Sequence, residues 1–385
     1  MSYTHFDKHH NRSFQFHPFE VAFCGYSHSG KTTLITRLIR ELAKDYRIGY
    51  IKHDIHSFMM DHEGKDTFRV KSSGAQTAFI SDAQHWACVQ SGHYDFVAYG
   101  QLFLENDFVF VEGYKRSDIP KLVLVDEKAE ILKSEKDKPL THVLGYIADK
   151  DSQKKLPQGK ACFDRDDIQG IRQFVLSHFY ESAKRIPLYG LVLAGGKSTR
   201  MKKDKSLLDY HGKKQVVHCF DLLSKICGQV FLSNREGQAQ LAGHKILPQI
   251  HDTFLEIGPL GGILTAMTRS PEAAWLVLAC DLPFVNDKVL KTLVERRNPF
   301  KMATAYQSVE EHRLPEPLCA IYEPKAISRI IQFLSMGIIC PRTILAHCDI
   351  QLLAQDESFL RNINTPREYT EAVQWLRKDQ RKDHR

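Results

Sequence analysis

Apolar and polar positions along the chain fall into two successive blocks built on the same logic. Each opens with a short apolar run that feeds a glycine-rich turn and then a segment with helical spacing. In the first, Val21-Ala22-Phe23-Cys24 runs into Gly25-Tyr26-Ser27-His28-Ser29-Gly30-Lys31-Thr32-Thr33. In the second, Gly190-Leu191-Val192-Leu193-Ala194 runs into Gly195-Gly196-Lys197-Ser198-Thr199-Arg200. Later apolar runs predict strands over 48–52, 108–111 and 121–125 in the first block, and over 230–232, 275–279 and 302–306 in the second. A 3.6-residue spacing predicts helices over 167–179, 216–225, 260–267 and 289–297. Strands alternating with helices make each block α/β with a largely parallel sheet. The charged link Glu181 to Pro187 divides them, giving domains at 1–183 and 187–385.

Length agrees with that division, because 385 residues exceed what one hydrophobic core usually supports. With 43% hydrophobic and 26% charged residues, the composition excludes disordered and collagen-like classes. No apolar run approaches a membrane span, and Met1 to Pro18 lacks the apolar core of a signal peptide, so a cytoplasmic protein with no membrane partner is expected. The net charge of +7 favours anionic ligands such as phosphates but falls short of a nucleic-acid signature. The basic tail from Arg377 to Arg385 reads as a solvated end. Nine cysteines without a close Cys-x-x-Cys pair read as buried small hydrophobes or free thiols, so no metal site is assigned to them.

Gly25 to Thr32 satisfies G-x-x-x-x-G-K-[ST] in full. Glycines let successive backbone N–H groups turn around a phosphate, and the following helix adds its positive end. Lys31 would reach the β- and γ-phosphates and the Thr32 hydroxyl would ligate Mg²⁺. Gly25, Ser29, Gly30, Lys31, Thr32 and Thr33 are therefore the expected triphosphate cradle. Phe108-Val109-Phe110-Val111-Glu112-Gly113 delivers a carboxylate at a strand end. Glu112 either holds Mg²⁺ through water or orients an attacking water, as a Walker-B acid does, or is a solvated strand-end residue. Asp54 has a similar place and the same ambiguity, and the charged string Asp61 to Arg69 is either a ligand-facing or a solvent-facing loop.

In the second block, the Gly195-Gly196 turn after a strand lets backbone approach a phosphate, and Arg200 and Lys205 supply two cations against a triphosphate. Trp275-Leu276-Val277-Leu278-Ala279-Cys280-Asp281-Leu282-Pro283 delivers Asp281 at the carboxyl end of a buried strand. Open α/β sheets bind ligands there, and a carboxylate suits Mg²⁺; the alternative is a structural aspartate capping the next turn. Gly258-Pro259-Leu260-Gly261-Gly262 allows either close helix packing or a close ligand, and Asp252 could read a base or ribose edge.

Taken in order, these strings resemble two families. The P-loop, Ile51-Lys52-His53-Asp54-Ile55-His56, Asp61 with Gly64-Lys65-Asp66-Thr67 and Arg69, Gly74-Ala75, Val111-Glu112-Gly113-Tyr114-Lys115 and Pro120-Lys121 resemble the molybdopterin-guanine dinucleotide biosynthesis adapter family. That resemblance implies a P-loop NTPase fold, GTP binding, weak GTPase activity and assistance to a guanylyltransferase. Leu193-Ala194-Gly195-Gly196, Arg200-Met201, Asp204-Lys205, Asp252, Gly258-Pro259-Leu260, Cys280-Asp281-Leu282-Pro283 and Asn362-Ile363-Asn364-Thr365-Pro366 resemble the molybdenum cofactor guanylyltransferase family. That one implies a Rossmann-like nucleotidyltransferase fold. It puts Leu193, Ala194, Gly195, Gly196, Lys205, Asn234, Asp252 and Asp281 on GTP, with Asp281 also on Mg²⁺ and Arg200, Lys205 and Asp281 serving catalysis. Lys202 stands where that family has glycine, and Leu232 where some relatives have asparagine.

The implied activity is transfer of GMP from GTP to molybdopterin or Mo-molybdopterin, with release of pyrophosphate. Cofactor-insertion proteins, molybdoenzyme chaperones and a second copy of the chain are the further partners the resemblance brings into view. Two other readings remain at this point: a sugar- or alditol-phosphate nucleotidyltransferase, and a non-catalytic GTP-binding scaffold.

Overall fold

The computed structural model describes residues 14–53, 62–91, 96–137, 139–195, 204–308, 314–354 and 357–380. The chain divides into two compact units, 1–176 and 177–385.

In the first unit, eight strands follow the chain: β1 (Glu20–Cys24), β2 (Ile48–Lys52), β3 (Thr77–Ser81), β4 (Trp86–Gln90), β5 (Phe108–Glu112), β6 (Lys121–Leu124), β7 (Val143–Ile147) and β8 (Ala161–Phe163). Six form one sheet in the order β2-β5-β1-β6-β7-β8, with every neighbouring pair parallel. Parallel strands covered on both faces should read as continuous apolar runs. β1 and β5 are buried at every position. Helix Lys31–Leu42 packs Leu34, Ile35, Leu38 and Leu42 inward, and each such burial is worth about 1.5–3 kcal/mol. The remaining two strands, β3 and β4, form a separate antiparallel hairpin that the apolar pattern did not predict. Its side chains lie mostly in solvent, including Phe79 and Trp86, so no one-sided alternation marks it.

The expected helix over 167–179 extends to Ile168–Lys184. Most of the residues read as a charged link are therefore its last turns, and Leu188 already begins the next strand.

The second unit adds β9 (Leu188–Leu193), β10 (Gln229–Asn234), β11 (Gln249–His251), β12 (Ala274–Ala279), β13 (Ala303–Gln307), β14 (Pro315–Tyr322) and β15 (Gln351–Leu353). Their order is β11-β10-β9-β12-β14-β13-β15. β9 to β12 and β15 follow the parallel expectation, but β14 runs antiparallel to both β12 and β13. Its two prolines hide it in the sequence. Pro315 opens the strand, Pro317 lies beyond the β12 register, and the β13 ladder slips between Ala305 and Gln307. None of these places needs an uninterrupted ladder of N–H donors.

Helices Gln215–Ser224, Pro259–Arg269 and Asp287–Glu295 match the predicted ones within a few residues. Val192, Leu276 and Leu278 from the sheet interlock with Val216, Leu223, Val289 and Leu293 from the helices. Strand order reverses at β9, whose parallel neighbours β10 and β12 lie on opposite sides. Such a reversal opens a crevice at the strands' carboxyl ends. Among the described residues, no helix is long and apolar enough to cross a membrane.

Candidate functional site

The first unit places its loop where the motif requires. β1 ends at Cys24, the turn passes through His28 and Gly30 with positive φ of 62° and 86°, and the helix starts at Lys31. An added Cβ at Gly25 would sit 2.6 Å from Ser29 Oγ and 2.9 Å from the Leu124 carbonyl, so only glycine fits without a shift. Lys31 Nζ donates to the carbonyls of Gly25 (3.1 Å) and Tyr26 (2.8 Å), which keeps the ammonium over the loop's concave side. Burial pulls its pKa down, while the Glu112 charge opposes that shift.

Glu112 is buried rather than solvated. It accepts from Thr32 Oγ1 at 2.9 and 3.0 Å and from the Tyr50 hydroxyl at 2.8 Å, and Lys52 Nζ lies 3.9 Å away. Thr32 and Glu112, 80 positions apart, thus form one polar cluster at the ends of β1 and β5. A hydroxyl beside an anionic oxygen pair is a donor set that suits a hard cation. Thr33 is exposed in the helix's first turn, and Ser29 is buried within the loop. Arg165, which the sequence did not single out, donates to the Ser29 carbonyl at 3.0 Å and also to that of Val125. Asp54 lies outside the described residues.

In the second unit, a cavity of about 550 Å³ opens at the carboxyl ends of the sheet. Leu193, Ala194 and Gly195 reach it from β9, Asp252 from the turn after β11, and Asp281 from the turn after β12. Lys205 enters on a short 3₁₀ turn, Lys205–Leu207, capped by Asp204 accepting from the Ser206 N–H at 3.0 Å. Lys205 Nζ donates to Asn364 Oδ1 at 2.7 Å and lies 4.0 Å from Asp281 Oδ2. Asn364 is 159 positions from Lys205, and no local pattern could have announced that pairing.

Asp281 Oδ1 is buried and meets no hydrogen-bond donor among the described residues. Burial raises the Asp281 pKa and the Lys205 charge works against that rise. Asp281 lines the cavity, and a carboxylate with one oxygen that no described residue donates to suits Mg²⁺, so the residues present fit the ion. Asp252 accepts from Ser233 Oγ at 2.6 Å, and burial raises its pKa too. A Cβ at Gly195 would come within 2.8 Å of Asp252 Oδ2, which explains why the turn is glycine at this point. Gly258, with φ 63° and ψ −146°, opens helix Pro259–Arg269 at the cavity edge in a backbone conformation that only glycine adopts freely.

Not every expected residue reaches the cavity. Asn234 is wholly buried at the end of β10, and its amide is taken up by Gln249, His244 and His251 rather than turned toward a ligand. Gly196, Arg200 and Lys202 lie outside the described residues. Ser206, Ser233, Arg235 and Leu318 line the cavity without having been singled out. Serine and leucine are too common for their types alone to mark a site.

Comparison with known proteins agrees with this division. The family model of molybdopterin guanine dinucleotide synthesis protein B matches residues 20–146, and a MobA-like NTP transferase domain matches residues 190–351. A molybdenum cofactor biosynthesis bifunctional protein of Synechocystis is 41% identical over 48% of this chain and 53% of its own length. The chain thus spans about half the length of that relative. A molybdopterin-guanine dinucleotide biosynthesis adapter protein of Haemophilus influenzae is 33% identical over 42% of this chain and 90% of its own. A probable molybdenum cofactor guanylyltransferase of Flavobacterium johnsoniae is 29% identical over 45% of this chain and 90% of its own.

Proposed function

From a chain that belongs, through its first half, to the molybdopterin-guanine dinucleotide biosynthesis adapter family, and whose second half is a MobA-like NTP transferase domain, we propose a guanylyltransferase with a built-in adapter. Residues 1–183 are the GTP-binding adapter domain, and residues 187–385 transfer GMP from GTP to molybdopterin or Mo-molybdopterin. The observation that carries this reading is the convergence of Lys205, Asp281 and Asp252 on one cavity at the carboxyl ends of β9, β11 and β12.

A terminal phosphate oxygen of the acceptor attacks the α-phosphorus of GTP in line. The new P–O bond forms as the α–β bridging bond breaks, and pyrophosphate leaves with that electron pair. The acceptor phosphate is already an anion, so the protein's work is positioning and charge neutralisation rather than proton abstraction. Lys205, steered by Asn364, faces the leaving phosphates, and Arg200 is assigned the role of second cation against them. Leu193 to Gly196 lend backbone to the nucleotide, and Asp252 takes its base or ribose edge. Mg²⁺ held by Asp281 would draw the triphosphate oxygens together and spread their charge. In the adapter domain, Gly25 to Thr33 cradle a second GTP, with Thr32 and Glu112 as the cation's neighbours. The reaction belongs to the cytoplasm, and insertion proteins or molybdoenzyme chaperones take up the product.

Incubating the purified chain with labelled GTP, Mg²⁺ and molybdopterin tests the proposal. Guanine dinucleotide and pyrophosphate should appear in equal amounts. Transfer to sugar phosphates instead, or GTP binding with no transfer at all, would overturn it.

A further inference from the structure

Behind Lys205 lies a run of buried polar side chains that the transfer chemistry does not use directly. Asn234, His244 and Ser206 are 0%, 0% and 1% exposed. Their hydrogen bonds can be given a direction, starting from a group with no choice. Gln249 Nε2 donates to two backbone carbonyls, those of His244 (2.9 Å) and Ala239 (3.3 Å), so its Oε1 is left to accept. Asn234 Nδ2 donates to that oxygen at 2.8 Å and turns its other proton to His244 Nδ1 at 3.2 Å. Asn234 Oδ1 then accepts from His251 Nδ1 at 2.9 Å.

With Nδ1 accepting, the neutral imidazole of His244 carries its proton on Nε2. It donates that proton to Ser206 Oγ at 2.7 Å, and Ser206 Oγ–H donates to Asp204 Oδ1 at 2.6 Å. Burial holds the His244 pKa below its usual value, in keeping with a neutral ring. Asp204 is the residue that caps the turn bearing Lys205, and its second oxygen accepts from Gln238 Nε2 at 2.8 Å.

We infer that Gln249, Asn234, His244 and Ser206 form a directed hydrogen-bond relay that fixes the Asp204–Lys205 turn, making Asn234 and His244 positioning residues for GMP transfer. This rests on the guanylyltransferase reading. Gln249 accepts from Asn234 and so fixes its amide, and Asn234, His244 and Ser206 then each donate toward the turn, so breaking one of these links leaves the next group without its proton and frees the turn. A misplacement of the order of 1 Å at a reacting group lowers turnover by up to about 100-fold.

Two substitutions of similar polarity separate positioning from mere packing. Glutamine reaches the Nε2 position and can donate to Ser206, whereas asparagine reaches only the Nδ1 position. In the full-length chain, His244→Asn should lower kcat roughly tenfold, with KM for GTP changed by less than about threefold, and His244→Gln should stay within about threefold of the parent. Both variants should melt at similar temperatures. Imidazole ¹⁵N shifts give a readout independent of activity, with the Nε2–H tautomer expected for His244 in the unaltered chain. Equal losses in both variants, no loss in His244→Asn, or an Nδ1–H tautomer would overturn the relay. If the tautomer is Nε2–H but the unaltered chain forms no dinucleotide, the transfer reading fails and takes the positioning role with it.

Discussion

Asp281 concentrates the electrostatics of the second site. Its carboxylate is part-buried, has one oxygen without a donor among the described residues, and stands 4.0 Å from the Lys205 ammonium. Asp281→Ala should reduce dinucleotide formation by about 100-fold or more, since charge stabilisation on a transferring phosphoryl group is lost. Removing an ill-solvated charge should cost the fold little, so the melting temperature should stay close to the parent's. The sign of the pH effect follows from the raised pKa. A carboxyl that binds its proton more tightly when folded destabilises the fold while ionised. That penalty is full above the folded pKa and disappears as pH falls below the unfolded value. Metal-free protein should therefore gain stability from this group on acidification through that window, whereas transfer, which needs the carboxylate ionised, should fall over the same range. Thermal melts and initial rates across pH test the two opposite slopes. In the first unit, burial removes the solvated reading of Glu112, which the sequence left open because exposure at a strand end depends on the neighbouring strands, and Thr32 donates to it.

Glycine turns and strand ends form elements whose positions are strict. Gly262 lies in helix Pro259–Arg269, where an added Cβ would meet Ser233 Oγ at 2.1 Å and Leu193 Cδ2 at 2.9 Å. Gly262→Ala must push the helix from β9 and β10 at a cost of about 1–3 kcal/mol, the usual range for overpacking. Ser233 donates to Asp252, so the same change should also weaken nucleotide binding. Calorimetric unfolding and titration with GTP should move together, and a variant that melts like the parent would show the helix yields without strain. Of the alternatives left open for Gly258 to Gly262, close packing is seen at Gly262. Gly262 packs against the sheet, while Gly258 and Pro259 line the cavity. Elements legible from the apolar pattern were the ones buried throughout, such as β1, β5 and β12, or along one stripe, such as helix Lys31–Leu42. The strands β7, β8, β11 and β15 escaped, as did the β3–β4 hairpin, for want of a buried face, and β14, because prolines masked a strand that its neighbours enclose.

In the proposed function, two nucleotide-binding domains share one chain, which makes their meeting a first-order process. Separately produced 1–183 and 187–385 should form dinucleotide more slowly than the intact chain at micromolar concentrations. The gap should close toward millimolar, the range of effective concentration that a short tether supplies. Equal rates at every concentration would show that tethering adds nothing to transfer. The sequence by itself determined the two α/β blocks, the glycine-rich turns after β1 and β9, and the carboxylates at the ends of β5 and β12. These depend on short-range patterns of apolar runs, glycines and charges. Only the tertiary structure decided that Asn364 steers Lys205 and that Asn234 faces His244 and Gln249 instead of the cavity. It also set β14 antiparallel beside β12. Such pairings join residues far apart in the chain, and what selects them is whether a buried polar group or strand edge finds its partner when the sheet closes.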